Sequence, residues 1–438
     1  MDIIFEYGKQ IDLDDRIGIE SYLRSLWSDY KDLWPHIIEN SKLHNPNYQP
    51  FLSFDGTKAR ANNFVGFINY KGSTIEIYPK VFQFTSPLNK ELMHRHLFFW
   101  FSYCKKIKFP FNQSFLDNFE IERFPELIIY LISRQIHETV SSQPYSAYEE
   151  IEESLATPRG RINFNRYTNS LSYGRYYLID CDYEPFIYDN SLNRIIKHCA
   201  RLLKSQSLLP VSLRLLDEII FLLDDVDDQP CTLSQLEKIR IPALFLEYEN
   251  VVQSCKMILQ NHVYSHSEYE MKNWSLLFPM EYVFEDFISG FLQDNFNSEY
   301  YIEPQKSELY LHQNPKTFNL QHDILLTNKK TKEKIIIDTK YKPRWNLNNN
   351  DNKKGVDQSD MYQMISYSYR RGTNKVLLIY PNTSNQLSDD YIFYVQNPNT
   401  NEEIKIKVID VPFWSNIDCS LVRDELFDKL NSVLKSDF

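Results

Sequence analysis

The octapeptide at residues 334–341, Lys-Ile-Ile-Ile-Asp-Thr-Lys-Tyr, constrains this chain more than any other segment. Three consecutive isoleucines read as a buried apolar strand. Side chains alternate along a strand, so Asp338 and Lys340 share one face while Ile337 and Thr339 share the other. A carboxylate and an amine at the end of a core strand cost free energy unless they are paired or bound to a cation. The chain must therefore build a sheet that tolerates charge at the end of a central strand.

Neighbouring segments suggest how. Residues 322–326 read as the preceding strand, and the polar stretch 327–333 suits a hairpin turn, a pairing that places Asp323 beside Asp338. Two carboxylates held together call for a cation, and hard oxygen ligands select Mg²⁺ or a similar ion. Such an ion binds a phosphodiester oxygen and acidifies a water. Lys340 is suited to orient or deprotonate that water and to stabilise the developing charge. Glu285, on a helix expected over 280–294, can add a ligand or an outer contact. Gln363 and Tyr367, four apart on a helix over 358–371, form a pair that faces the site or the DNA. Each residue alone has an ordinary reading: a structural Asp-x-Lys, a turn aspartate, a surface glutamate, two packing residues. The specificity lies in the ordered set: helix with Glu, strand with Asp, strand with Asp-x-Lys, helix with Gln-x-x-x-Tyr, then the apolar strand 375–381. It points to a metal-dependent nuclease.

Composition narrows the alternatives. Only 10 of 438 residues are glycine, against an average of about 7%. Neither G-x-x-x-x-G-K-[ST] nor G-x-G-x-x-G occurs, so no nucleotide is expected by those routes, and a partner must supply any NTP energy. A net charge of −11 argues against whole-chain attraction to DNA. Residues 329–354 nevertheless carry nine basic side chains against three acidic ones, a stretch suited to holding the DNA backbone. Six scattered cysteines without a CxxC pair form no disulfide framework or zinc ribbon, which suggests a reducing cytoplasm. The longest apolar runs, 96–104 and 127–132, fall short of a membrane span, and the N-terminus reads as no secretory signal. His262 and His266 lack the glutamate of a zinc hydrolase motif, no G-x-S-x-G elbow occurs, His94 and His96 read as structural, and Asp224–Asp228 reads as a solvated turn.

The expected architecture is α+β and multidomain. Residues 1–88 are strand-rich, with strands at 63–70 and 73–81 joined by a hairpin at Lys71-Gly72. Residues 89–270 are mainly helical. The clearest helix, 192–203, places Leu192, Ile195, Ile196, Cys199, Leu202 and Leu203 on one stripe behind an Asn190 or Ser191 cap, and another covers 211–223. Residues 271–438 read as a mixed-sheet domain, with strands at 300–312, 321–326, 334–341 and 375–381 and a polar loop at 346–352.

Asp323, Asp338 and Lys340 resemble the PD-(D/E)xK nuclease signature, and Gln363 with Tyr367 resembles the Q-x-x-x-Y element of part of that superfamily. More broadly the chain resembles the McrC family, the nuclease subunits of McrBC-type, modification-dependent (type IV) restriction systems. The similar segments are residues 63–82, Thr-Pro-Arg-Gly-Arg-Ile-Asn-Phe at 157–164, Asp-Asn-Ser-Leu-Asn-Arg-Ile-Ile-Lys at 189–197, 336–341, 361–367 and 376–381. His322 stands where the signature has proline, and residues 1–60 match nothing useful. The resemblance implies a restriction-endonuclease-like domain that cleaves modified DNA with Mg²⁺. It implies Asp323, Asp338, the Thr339 main-chain carbonyl and Glu285 as metal ligands, with Gln363, Tyr367, Lys342 and Arg344 as accessory or DNA-contacting residues. It also implies a McrB-like AAA+ GTPase partner that binds GTP, which this chain does not. Residues 89–270 would dock on that partner, with Arg159 and Arg161 as docking candidates, and no membrane is involved. A stand-alone repair nuclease of the same superfamily and a non-catalytic adaptor of a AAA+ ring are the competing readings.

Overall fold

The computed structural model describes residues 2–30, 48–83, 89–107, 121–260, 273–342, 344, 351–382, 389–396, 403–416 and 418–436. The stretch 346–352 lies largely outside these residues, and His262 and His266 wholly so. The expected hairpin is present. Strands Phe64–Tyr70 and Ser73–Tyr78 pair antiparallel, with Lys71 and Gly72 at φ of 49° and 82°, a left-handed turn whose twist matches that of its strands. Asp2–Phe5 adds parallel to one side of the hairpin, and Asn273–Pro279 adds antiparallel to the other. One face of this sheet, with Ile68, Ile75 and Ile77, packs on Leu23, Leu26 and Trp27 of the helix Arg16–Tyr30. Its other face, with Phe67, Tyr78 and Trp274, joins the largest core of the molecule.

That core runs through the helices Lys90–Tyr103, Phe124–Ser142 and Ser191–Lys204. All six apolar residues expected on the last of these are buried, and the Asn190 side chain caps it by accepting the Asn193 N–H at 3.1 Å, satisfying one of the donors a helix start leaves open. One feature was unexpected: the short strands Ile151–Leu155, Arg161–Ile162 and Ile179–Tyr183 form a small sheet beside the helix Phe164–Ser172, which buries no residue.

The C-terminal sheet has six strands, ordered Tyr300–Gln313, Lys316–Asn328, Lys334–Thr339, Lys375–Pro381, Glu403–Val411, Tyr391–Gln396. The first three pair antiparallel, and the three centred on Lys375–Pro381 pair parallel. The last two strands and the helix Cys419–Lys435 lie beyond the expected set. Helix Gln358–Arg371 covers the face bearing Leu325, Ile336 and Leu378. The opposite face, with Ile324, Ile337 and Ile379, belongs to the large core, together with residues of the helix Met280–Phe296. That helix packs very closely: a Cβ on Gly290 would lie 1.8 Å from the Tyr103 carbonyl oxygen, so only glycine fits there. Trp100 stacks on Phe413 with ring centroids 3.9 Å apart, and the N-terminal sheet and the C-terminal sheet thereby share one core.

Candidate active site

The charged end of the central strand is where the two-carboxylate reading places it. Ile324 lies opposite Ile337 and Leu325 opposite Ile336, a register whose next rung sets Asp323 opposite Asp338. Directly opposed residues share a face, with Cβ atoms about 5 Å apart. Asp323 Oδ2 accepts the main-chain N–H and the hydroxyl of Thr339, both at 2.7 Å. Thr339 thus orients Asp323 with its donors. Asp338 is buried, with Oδ2 at 2.8 Å from Lys340 Nζ. Lys340 Nζ donates to Gln363 Oε1 at 3.0 Å, Gln363 Nε2 donates to the Tyr367 hydroxyl at 2.6 Å, and Tyr367 donates to the Gln321 carbonyl. Gln363 and Tyr367 therefore tie Lys340 to the strand pair.

A cavity of about 530 Å³ opens at this point, lined among others by Glu285, Gln305, Asp323, Thr339 and Lys340. Glu285 reaches it from the opposite face of the sheet, where its Oε1 accepts Lys106 Nζ at 2.9 Å and Gln305 Nε2 at 2.8 Å. Burial, and then the Asp323 carboxylate, push the Glu285 carboxyl up to about 7. The same two causes push Asp338 up to about 8. Burial also raises Asp323, against the pull of its Thr339 hydrogen bonds. Burial works against the Lys340 charge, but Asp338, Asp323 and Asp360 outweigh it and hold the ammonium protonated. Carboxyls that resist ionising together mark a site short of positive charge. The donor set is hard oxygen, which fits Mg²⁺. Among the described residues no three His, Cys, Asp or Glu side chains converge as a ligand cluster, and Mg²⁺ needs only one or two carboxylates because it retains waters. Asp323 and Asp338 are the residues that would hold it.

Asp360 belongs to this centre and escaped the sequence reading. It is buried, with Oδ1 3.8 Å from Lys340 Nζ and Oδ2 2.7 Å from Lys342 Nζ. Its position three residues before Gln363, on the same helix face, was the available signal. Lys342 pairs with Asp357 and Asp360 at the cavity's edge.

Two expectations about charge need correction. Arg344 does not face DNA: its side chain is fully buried, with Nε 2.8 Å from Asp410 Oδ1 and a second nitrogen on the Asp389 carbonyl. Nor is the basic stretch one surface. Lys329, Lys330 and Lys332 occupy the turn before the strand Lys334–Thr339, and Lys340 and Lys342 follow its other end. A six-residue strand separates the two groups by roughly 20 Å. Arg159 and Arg161 lie exposed in the small 151–183 lobe, Arg159 with its guanidinium 4.7 Å from the Tyr183 ring centroid. His94 and His96 are structural, as expected. Burial holds His94 at about 3 beside the Tyr78 hydroxyl and His96 at about 4 beside the Ser415 carbonyl.

The chain is an α+β molecule whose central strand ends in an aspartate–lysine pair opposite a second aspartate. The family described as McrBC 5-methylcytosine restriction system component matches residues 59–381. The chain belongs to that family, as the resemblance of its motifs implied. Its fold matches a chain in a refined half-complex from a tetradecameric assembly of Thermococcus gammatolerans McrB AAA+ hexamers with bound McrC. The TM-score is 0.67 at 16% identity, covering 98% of this chain and 99% of that one. A chain of the cryo-EM structure of the Thermococcus gammatolerans McrBC complex matches at TM-score 0.48 and 18% identity, over 67% of this chain and 87% of that one. No curated protein matches.

Proposed function

We propose that this chain is the DNA endonuclease subunit of a type IV restriction system, hydrolysing phosphodiesters with Mg²⁺ and stimulating a partner AAA+ GTPase. The observation that carries the reading is the buried Asp338–Lys340 pair at 2.8 Å, at the end of a central strand with Asp323 one rung across. Bound Mg²⁺ would supply Lewis acidity and a water of lowered pKa. The residues of the chain do the rest. Asp323 and Asp338 hold the cation, Thr339 fixes the orientation of Asp323, and Lys340, kept charged, stabilises the negative charge that builds on the phosphate. Gln363, Tyr367 and Asp360 position Lys340.

Family membership and the solved assembly that contains McrB AAA+ hexamers support a ring partner, as does the absence of a phosphate-cradling loop in this chain. Docking is assigned to the middle region, 89–270, and in particular to its exposed lobe. There Arg159 and Arg161 accompany Phe164, Tyr173, Tyr176 and Tyr177, each at least 69% exposed, a grouping typical of an interaction surface. The strand-rich N-terminal region precedes it, and the nuclease domain follows it after the strand Asn273–Pro279, which belongs to the N-terminal sheet and not, as expected from 271 on, to the nuclease domain. Among the described residues no helix is long and apolar enough to cross a membrane, and a cytoplasmic location follows from a DNA substrate. The test combines the chain with a AAA+ partner, GTP, Mg²⁺ and methylated or unmethylated DNA. Cleavage by the parent and none by Asp338→Asn, with GTP turnover retained in both, is the expected result. Equal cleavage by both would refute the assignment of the site.

A further inference from the structure

Past the strand Lys334–Thr339, which carries Asp338, the chain continues through Lys340 to meet residues that directly follow two strands of the N-terminal sheet. Tyr341, directly after Lys340, is buried, and both its side chain and its main chain are gripped. Its hydroxyl donates to Glu6 Oε2 at 2.8 Å. Its carbonyl accepts Lys80 Nζ at 2.8 Å, and the same ammonium stands 4.2 Å from the centre of its ring. Glu6 Oε2 also accepts the Lys80 main-chain N–H at 3.0 Å, which locks the two gripping residues together. Glu6 follows the strand Asp2–Phe5 and bonds the Tyr78 carbonyl through its own N–H at 3.0 Å, while Lys80 follows Pro79 beyond the strand Ser73–Tyr78.

A core that needed only an aromatic ring at 341 would gain nothing from a fully buried glutamate and a desolvated lysine. These polar groups have a geometric effect instead. Lys340 has its N–H on the Ile379 carbonyl at 2.9 Å, so one side of it is held by the neighbouring strand and the other by the Glu6–Lys80 grip on Tyr341. Between those anchors its ammonium is set 2.8 Å from Asp338. We propose that Lys80 and Glu6 are positioning residues for the catalytic centre, clamping Tyr341 so that Lys340 stays on Asp338. The proposal rests on the nuclease reading of that centre. The cutting unit then includes residues before 59, outside the family-matched span, and residues at the ends of N-terminal strands support the segment that holds Lys340.

The test uses the full chain assembled with its AAA+ partner, as Lys80→Met, Lys80→Arg and Tyr341→Phe, with Asp338→Asn as the control. Cleavage is measured for kcat and for KM toward DNA, and hydrogen exchange is followed in peptides covering 338–342 and 191–204. Lys80→Met should lower kcat about 10- to 100-fold, the scale expected of a displacement near 1 Å, with KM changed less than about twofold. Exchange should rise at 338–342 and not at 191–204. Lys80→Arg should recover most of the rate, and Tyr341→Phe, which keeps the ring, should lower kcat severalfold. An unchanged kcat in Lys80→Met, or exchange that rises throughout the molecule, overturns the proposal. Should Lys80→Met fail to fold, an unchanged kcat in Tyr341→Phe overturns it equally. If Asp338→Asn cuts like the parent, the nuclease reading falls and the clamp with it. If Asp338→Asn is inactive while Lys80→Met cuts normally, the clamp alone falls.

Discussion

Replacing Glu6 by glutamine should stabilise the chain at pH 8.5 and slightly destabilise it at pH 4.5. Burial lifts the Glu6 carboxyl from 4.5 to about 7, against the opposing pull of Lys80 and of its hydrogen bonds from Lys80 and Tyr341. Between these values the folded chain keeps a proton that the unfolded chain releases. This group's contribution to stability therefore falls as pH rises through the window and stays low above about pH 7. A shift of this size corresponds to about 3 kcal/mol. Glutamine mimics the protonated acid, since its carbonyl oxygen can take the place of Oε2 and accept both donors. Its amide then occupies the position of Oε1, which has no hydrogen-bond partner among the described residues, at a cost of about 1 kcal/mol. The expected net is about 2 kcal/mol of stabilisation at pH 8.5 and about 1 kcal/mol of loss at pH 4.5. Urea unfolding followed by tryptophan fluorescence at the two pH values, comparing midpoints and slopes, measures it. A Glu6→Gln chain less stable than the parent at pH 8.5 would refute the reasoning, because it would mean that Lys80 holds Glu6 ionised in the folded state.

Arg344→Met should cost about 3–5 kcal/mol of stability by removing the countercharge of buried Asp410, while the folded fraction binds DNA normally. Chemical denaturation beside a binding titration checks this, and the reverse pattern would make Arg344 a DNA contact. The double variant Lys330→Ala/Lys332→Ala should cut DNA within about twofold of the parent, because both residues sit at the far end of the strand from Asp338, roughly 20 Å away; a tenfold loss would show that DNA crosses that end. A fragment ending at residue 260 should bind a hydrophobic dye and unfold without a cooperative transition. A sharp melt of that fragment would show that the N-terminal and middle regions fold without the C-terminal residues.

The elements that could be read from the sequence are those whose local signals agree with their burial. Helix Gln358–Arg371 and strand Lys375–Pro381 have the expected ends, the first because Gly372 stops the helix at φ 61°, the second because a run of apolar residues is buried on both faces. Alternation along 334–341 placed Asp338 and Lys340 on one face correctly. The small strands at 151–183 were illegible because they are only two to five residues long and show no regular alternation of burial, which leaves no period to detect. Arg344 was misread because charge summed along the sequence ignores the ion pair that a later strand brings with Asp410. Glu6 carries no motif, and Asp360 only its spacing from Gln363. Only the packing of distant segments gives a polar residue of either kind its partner.

The same packing limits how docking and cutting can be separated by experiment. Strand Asn273–Pro279 pairs along its whole length with Phe64–Tyr70, and Trp274 meets Phe67 with ring centroids 4.8 Å apart. Trp100 of the helix Lys90–Tyr103 is completely buried, stacked on Phe413 and donating its indole N–H to the Phe413 carbonyl at 2.8 Å. Removing the C-terminal residues would expose both tryptophan contacts and leave an open sheet edge beside Phe64–Tyr70, an invitation to aggregate. Loss of GTPase stimulation in such a fragment would report unfolding rather than the location of the docking surface. Point variants in the whole chain avoid this. Asp338→Asn changes the carboxyl paired with Lys340 without touching either tryptophan, and substitutions at Arg159 and Arg161 act on exposed residues of a lobe whose helix buries nothing. If the first stops cutting with GTP turnover intact and the second lowers turnover in a normally folded chain, cleavage and activation occupy separate surfaces of a molecule that nonetheless folds around a shared core.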